Sequence, residues 1–165
     1  MKNVVTNYYL RFKKIEKTKH NSILLSGQPG SGKTHLCIAL ANNFIKKDNK
    51  RVVYMPYRDI ITKLKQNALD KEYYQKLISK YKMAEILLID DLFKGNITKA
   101  DINPIFEIVN YRVSNKLPMI VSTEYSVDEL LGFDEGTASR IYEMAKDFIV
   151  DIKGQENNYR LRKGI

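Results

Sequence analysis

Short apolar runs alternate along the chain with longer segments in which apolar residues recur at helical spacing. Five runs predict buried strands, at residues 22–27, 51–56, 84–92, 117–124 and 147–152. Six segments between them predict helices, at residues 34–47, 58–68, 71–82, 99–116, 126–133 and 136–146. This alternation predicts an α/β fold of three layers, in which a five-stranded parallel sheet is flanked by helices.

Local patterns refine the ends of these elements. Ser126 and Glu129 have the spacing of a capping box at the start of a helix. Pro104 is expected in the first turn of its helix, where a proline is tolerated. Residues 1–20 are basic and predict an arm or short helix ahead of a domain over residues 21–165, while residues 157–165 predict an edge strand or a tail.

The stretch GQPGSGKT, residues 27–34, lies between the first predicted strand and the helix that follows. It fits the pattern G-x-x-x-x-G-K-[ST], whose backbone N–H groups and helix N-terminus surround phosphates. Lys33 is expected to reach the β- and γ-phosphates, and the Thr34 hydroxyl to bind Mg²⁺. The sequence thus predicts a nucleoside triphosphate with Mg²⁺, and nucleotide-binding residues Gly27, Gln28, Pro29, Gly30, Ser31, Gly32, Lys33, Thr34 and His35.

Two aspartates end the third predicted strand, in the stretch ILLIDD. Ligands of parallel α/β sheets bind at the carboxyl ends of the strands, where the glycine loop also lies. Asp90 is therefore expected to hold Mg²⁺, and Asp91 to polarise the attacking water. Most ATPases of this architecture have glutamate at the position of Asp91. Because aspartate is one methylene shorter, we expect slow hydrolysis.

Polar residues near the fourth strand and several arginines are further candidates. Thr123 is expected to point at the γ-phosphate, with its neighbours Ser122 and Glu124 as alternatives. Arg140 is either a surface residue or an arginine finger that reaches the nucleotide of a neighbouring subunit. Arg160 and Arg162 could either sense phosphate or bind nucleic acid, and Arg112 is another candidate for phosphate sensing.

The charge and composition limit the class of protein. Lysine and arginine number 28 against 19 acidic residues, for a net charge of +9, which makes a polyanion partner plausible. No apolar run reaches membrane-spanning length, and residues 1–14 lack the apolar core of a signal peptide. A single cysteine excludes an internal disulfide. We therefore expect a cytoplasmic protein without a membrane partner.

Five stretches together resemble a known family: GQPGSGKTHL, LLIDDLFKG, NYRVSNKLPMIVSTEYSVDELL, SRIYEM and NYRLR. The chain resembles, from about residue 8 onward, the AAA+ domain of bacterial and phage replicative helicase loaders of the DnaC/DnaI type. The ATPase subunits of IstB-type transposases are close relatives of that family. The resemblance implies an AAA+ core, ATP as the nucleotide, and ATPase activity.

The resemblance also implies roles by position. Lys33 and Thr34 match Walker A, Asp90 and Asp91 match Walker B, Thr123 falls at sensor 1, and Arg140 falls at the arginine finger. The chain departs from the family in three ways. Glu124 stands where the family often has asparagine, and we expect little or no C-terminal lid after the fifth strand. We also expect a separate N-terminal helicase-binding domain to be lacking, in either an excised ATPase domain or a naturally short relative.

The segment 46–82 contains eleven lysines or arginines and four acids, with tyrosines among them. Lysines neutralise phosphates, and tyrosines stack on unpaired bases. The resembled family has in this region an extra helix that contacts single-stranded DNA, so candidate DNA-binding residues are Arg58, Lys63, Lys65, Tyr73 and Tyr74. The alternative is a pair of amphipathic helices with inward tyrosines and solvated lysines.

The leading hypothesis is an ATP-dependent replication protein that loads a hexameric helicase onto single-stranded DNA, with ATP joining identical subunits through Arg140. The nearest alternative is an IstB-like transposition helper that acts on duplex DNA. A small-molecule P-loop kinase is less favoured, because no lid segment is evident. A scaffold that binds ATP without turnover is a further alternative, because of the short Asp91 side chain.

Overall fold

The structure is a computed structural model that describes residues 1–152. Five strands and seven helices alternate over these residues. The strands are β1 Ile23–Gly27, β2 Val52–Pro56, β3 Ile86–Leu92, β4 Met119–Thr123 and β5 Ile149–Ile152. The helices are α1 Lys2–Ile15, α2 Lys33–Asp48, α3 Tyr57–Gln66, α4 Lys71–Lys82, α5 Lys99–Ser114, α6 Val127–Phe133 and α7 Glu135–Ala145.

The five strands form one parallel sheet in the order β2-β3-β4-β1-β5. Strands β1, β3 and β4 occupy the centre, and Ile23–Leu25 and Ile86–Ile89 are buried along their length. A strand with helices on both faces has no solvent face, which explains the continuous apolar runs in the sequence. The predicted α/β fold with a five-stranded parallel sheet is confirmed.

Two apolar clusters form the layers above and below the sheet. The first packs α3, α4, α5 and α7 against one face through residues such as Leu64, Ile78 and Ile105. The second packs α1 and α2 against the other face through Phe12, Phe44 and Ile120. Neighbouring residues of a strand, such as Ile120 and Val121 in β4, enter opposite clusters, because side chains alternate across a strand.

Helix α1 is part of the core. Tyr8 is fully buried, its hydroxyl donates to the carbonyl oxygen of Asn21 at 2.7 Å, and burial raises its pKa well above the usual range. Tyr8 also makes edge-on ring contacts with Phe12, Phe44 and Phe148. The basic segment 1–20 is therefore a helix that packs on the sheet, with its lysines outside.

The element boundaries follow the predictions within a few residues, and the capping box of Ser126 and Glu129 is present. The prediction that Pro104 lies in the first turn of its helix is wrong, because α5 begins at Lys99 and the proline therefore lies in the second turn, inside the helix. Within residues 1–152 no helix is long and apolar enough to cross a bilayer. Strand β5 ends at Ile152, so the prediction of little or no lid after it concerns residues outside this range. The predicted edge strand or tail at 157–165, with Arg160 and Arg162, lies outside the described residues.

Candidate nucleotide-binding site

The glycine loop lies between β1 and α2, at the carboxyl end of the sheet. Gly30 and Gly32 have positive φ angles of 78° and 87°, which glycine adopts without a steric cost. Gly27 is confined for a second reason, since a Cβ there would lie 2.4 Å from the carbonyl oxygen of Ile152 in β5. The loop thus has the backbone of a phosphate cradle that leads into the N-terminus of α2.

Lys33 lies inside this cradle. Its ammonium donates to the carbonyl oxygens of Gly27 and Gln28 at 2.5 and 2.8 Å, and its side chain is buried. Burial lowers the pKa of Lys33, while the carboxylates of Glu124 and Asp91 oppose that shift. A cation held among backbone oxygens at the start of a helix suits a phosphate ligand.

Asp90 collects three hydroxyl donors at the end of β3. Thr34 Oγ1 and Ser122 Oγ donate to its Oδ1 at 2.9 and 2.5 Å, and the Tyr54 hydroxyl donates to Oδ2 at 3.1 Å. Threonine hydroxyl and carboxylate oxygens are hard donors of the kind that Mg²⁺ uses beside a nucleotide. Thr34 and Asp90 therefore fit the cation of an ATP site, and Ser122 and Tyr54 orient the carboxylate.

Asp91 is the next residue of β3 and lies where the pairing of β3 with β4 shifts register, with φ 55°, a conformation uncommon for a residue with a side chain. Its amide donates to Ser122 Oγ at 2.9 Å, which ties this irregular end of β3 to β4. Lys94 forms ion pairs with Asp91 Oδ2 at 3.0 Å and with Glu124 Oε1 at 2.9 Å. These pairs raise the pKa of Lys94, with the hydrogen bond to Glu124 the largest cause.

A cavity of about 550 Å³ joins Lys33, Asp91 and Lys94 and is large enough for a nucleotide, while Asp90 lies outside its lining and contacts the lining residue Thr34. Its lining residues are Met1, Lys2, Pro29, Gly30, Ser31, Gly32, Lys33, Thr34, His35, Leu36, Ala39, Asp91, Lys94 and Glu124. Gly27 and Gln28 are not lining residues, but their carbonyl oxygens hold Lys33. The structure thus brings most of the predicted nucleotide-binding residues to one cavity.

The prediction that Thr123 points at the γ-phosphate is wrong, because its side chain does not line this cavity. Its hydroxyl is buried and donates to the carbonyl oxygen of Leu92 at 3.0 Å. Of the two alternatives, Glu124 lines the cavity and Ser122 contacts Asp90. The side-chain alternation of β4, which ends at Thr123, decides this difference.

Arg112 and Arg140 lie apart from the cavity in the same protomer. Arg112 is fully buried and donates to four backbone carbonyl oxygens. The prediction that it could sense phosphate is therefore wrong. Arg140 lies on the outer side of α7, where it donates to Asn110 Oδ1 and stacks on Phe106. A role for Arg140 at a nucleotide therefore requires a neighbouring subunit.

The candidate DNA-binding residues of α3 and α4 differ in exposure. Arg58, Lys63 and Tyr73 are exposed, and among residues 1–152 no carboxylate lies within ion-pair distance of Arg58 or Lys63. Lys65 forms an ion pair with Asp101 at 2.9 Å. Tyr74 is half-buried against the apolar cluster below α4. Three of the five candidates are thus free to meet a ligand without breaking an internal contact.

Sequence reasoning missed Tyr54 and Lys94. Tyr54 reaches Asp90 because β2 pairs with β3, a neighbour relation that only the sheet order reveals. Lys94 stands three residues after Asp91, in the stretch LLIDDLFKG. The sequence shows that it is close to Asp91 along the chain, but it does not show that the side chain points into the cavity. Met1 and Lys2 reach the cavity because α1 packs beside α2.

Tyr54→Phe is expected to raise the Mg²⁺ concentration needed for half-maximal nucleotide binding about tenfold, because outer hydrogen bonds orient a metal-binding carboxylate. Burial of the hydroxyl, with the Asp90 carboxylate beside it, raises the pKa of Tyr54 to about 12, so the hydroxyl is a donor at neutral pH. A Mg²⁺ titration with a fluorescent ATP analogue measures the effect. Tyr142→Phe, an exposed tyrosine of α7, is the control, and equal midpoints for all three proteins would contradict the role.

The strand order, the glycine loop and the aspartates at the end of β3 define a P-loop nucleotide-binding protein of the AAA+ type. Residues 9–163 match the family of IstB-like ATP binding proteins, and the chain belongs to that family. Membership means that the chain is an ATP-binding protein. The resemblance predicted from the sequence is thus confirmed.

Two curated relatives are proteins of Bacillus subtilis (strain 168). The chain is 40% identical over 161 residues to the uncharacterized protein YqaM, and 37% identical to the phage-like element PBSX protein XkdC. Each match covers 93% of this chain, but 50% and 59% of those relatives. The chain therefore spans about half the length of the curated relatives it matches.

Relatives and structures of replication proteins also match. The replicative helicase loader DnaI of Bacillus subtilis is 29% identical over 70% of this chain and 37% of its own length. A crystal structure of the DnaC helicase loader has a TM-score of 0.78 at 25% identity, covering 90% of this chain and 87% of that one. The initiator DnaA bound to AMPPCP and single-stranded DNA has a TM-score of 0.74 at 23% identity, a likeness of fold alone.

Proposed function

We propose that this chain is an ATPase domain of the helicase-loader type, which acts as an ATP-dependent switch on single-stranded DNA and a replicative hexameric helicase. One observation supports it most. The cavity formed by the glycine loop, Asp91 and Glu124 belongs to a fold that matches the DnaC helicase loader over nine-tenths of this chain. The chain spans about half the length of the curated relatives it matches, so the helicase contact is a proposal.

The residues of the site have separate tasks in hydrolysis. Lys33 and the loop N–H groups hold the phosphates, and Thr34 with Asp90 would hold Mg²⁺, which neutralises charge on the β- and γ-oxygens. Asp91 accepts a proton from the attacking water or orients it. Since the Asp91 side chain is short and is paired with Lys94, turnover is slow until a partner rearranges the site.

The switch requires contact between identical subunits. Arg140 lies on the outer side of α7 and does not line its own cavity, so it would act on the nucleotide of a neighbour. An arginine supplied in trans stabilises charge on the transferred phosphoryl group. ATP therefore favours a homo-oligomer, and hydrolysis releases it.

DNA is proposed to lie along α3 and α4. Arg58 and Lys63 of α3 would neutralise phosphates, and Tyr73 of α4 would stack on a base. Lys65 and Tyr74 already have internal contacts and would contribute less. Helix α3 begins one residue after β2, whose Tyr54 contacts Asp90. A strand bound on α3 is thus two short steps from the cation site, which offers a route for DNA to stimulate turnover.

The test is ATP hydrolysis with and without single-stranded DNA at low salt. We expect the wild type to turn over slowly and to be stimulated several-fold by single-stranded DNA. Asp91→Ala is expected to bind ATP and lose at least about 99% of turnover, since a positioned base contributes ~10²–10⁴-fold. The double variant Arg58→Ala/Lys63→Ala keeps basal turnover and loses the stimulation, while Lys13→Ala/Lys14→Ala on α1 is the charge-matched control.

The family name supports a second candidate, an IstB-like transposition helper that acts on duplex DNA. Stimulation by duplex and not by single-stranded DNA would favour it over the loader. ATP binding that never leads to turnover, with or without DNA, would instead point to a scaffold. Addition of a replicative hexameric helicase completes the test, because a loader increases the fraction of helicase bound to a single-stranded circle.

A further inference from the structure

The Lys94 ammonium lies between two carboxylates that both line the nucleotide cavity. It is 3.0 Å from Asp91 and 2.9 Å from Glu124, which come from the ends of different strands. Its side chain is partly buried, and it lines the cavity together with Lys33 and the glycine loop. An ammonium in this position faces the same space as the phosphates of a bound nucleotide.

The backbone fixes Lys94 there. Asp91 and Phe93 both have positive φ angles, 55° and 62°, and the Lys94 amide donates to the Asp91 carbonyl oxygen at 3.1 Å. Phe93 is fully buried and makes edge-on contacts with the rings of Tyr57 and Phe133. A tight turn anchored by a buried ring returns the lysine over Asp91, which distinguishes it from an ordinary solvated surface lysine.

The charges of the cavity make this lysine responsive to the nucleotide. Asp91 and Glu124 are acidic groups at the carboxyl edge of the sheet, where the γ-phosphate of ATP is expected. Without Lys94, both carboxylates would repel that phosphate. With Lys94, one ammonium has two possible sets of partners, the carboxylates or the phosphate, and a dianionic phosphate attracts it more strongly than either carboxylate.

We propose that Lys94 is a positioning residue that detects the γ-phosphate: ATP draws its ammonium from Asp91, and this frees the Asp91 carboxylate for the attacking water. ADP has no γ-phosphate, so Lys94 stays on both carboxylates. The inference rests on the proposed function, because it assigns Asp91 to the water. It makes the same lysine the determinant of preference for ATP over ADP and the brake on water activation.

The experiment compares the Kd of ATP and of ADP, each with saturating Mg²⁺, by displacement of a fluorescent nucleotide from the full chain. Lys94→Met is expected to weaken ATP about tenfold, the loss of one charge-assisted contact, while ADP changes less than twofold. Lys94→Arg should keep most of the preference. Lys99→Met, an exposed lysine at the start of α5, is the matched control and should change neither constant.

A second variant tests the competition directly. Glu124→Gln removes one of the two carboxylates that hold Lys94, so ATP should bind several-fold more tightly while ADP stays unchanged. Equal losses for ATP and ADP in Lys94→Met would show a structural ion pair and overturn the inference, as would no change in either. If the wild type never hydrolyses ATP but these ratios shift as described, the proposed hydrolysis fails while the γ-phosphate contact stands.

Discussion

Replacing Lys33 with alanine is expected to weaken ATP binding by at least about a hundredfold and to abolish hydrolysis. The ammonium lies within 2.8 Å of two loop carbonyl oxygens, so it is already positioned where the β- and γ-phosphates would lie. Each charge-assisted hydrogen bond contributes ~1.5–3 kcal/mol, and the loss of one or two corresponds to a change of this size. Fluorescent-nucleotide titration and a phosphate-release assay measure the two effects.

The matched control for Lys33→Ala is Lys46→Ala, an exposed lysine in the last turn of the same helix. It should bind ATP as the wild type does. Thermal unfolding should show Lys33→Ala to be folded, since the substitution removes a buried charge and leaves the apolar cluster beneath α2 intact. Wild-type ATP affinity in a folded Lys33→Ala protein would contradict the site.

Among the buried polar and charged residues, Arg112 is expected to cause the largest loss of stability when it is replaced. The side chain is completely buried and donates to the carbonyl oxygens of Tyr81, Lys82, Ala84 and Pro118 at 2.7–3.1 Å. Burial lowers the pKa of Arg112 to about 9, so the guanidinium is still charged at neutral pH. It joins the end of α4 to the start of β4, two segments that are distant in the sequence.

Arg112→Ala should therefore lower the free energy of unfolding by about 4 kcal/mol, because it leaves buried carbonyl groups without donors. Arg112→Lys should lose about half as much, since a single ammonium cannot span both groups of acceptors as the planar guanidinium does. Urea denaturation followed by circular dichroism measures both, with the exposed Arg11→Ala as control. A loss below about 1 kcal/mol for Arg112→Ala would contradict the role.

The chain has an AAA+ type fold and belongs to an ATP-binding family. The binding of a nucleotide in the cavity is proposed from its lining residues. The Lys33, Tyr54 and Lys94 variants test the chemistry of the cavity. The DNA-stimulation and helicase assays test the proposed biological role, and a failure there would leave the nucleotide site unchanged.

The fold class and the phosphate-binding elements could be predicted from local sequence patterns. The central strands were predictable, because burial on both faces requires a continuous apolar run, as in Ile86–Ile89. The glycine loop was equally predictable, because few residue types fit its positive φ angles and its contact with the Lys33 ammonium. Local rules also sufficed for the capping box at Ser126.

The contacts between side chains of different elements became evident only from the tertiary structure. Thr123 and Glu124 are adjacent in sequence, yet the end of β4 turns one toward Leu92 and the other into the cavity. Tyr54 reaches Asp90 through strand pairing, and Arg112 reaches the end of α4 through the packing of α5. Local sequence patterns carry no information about such contacts, because they join residues about thirty positions apart through the order of strands and the direction of each side chain.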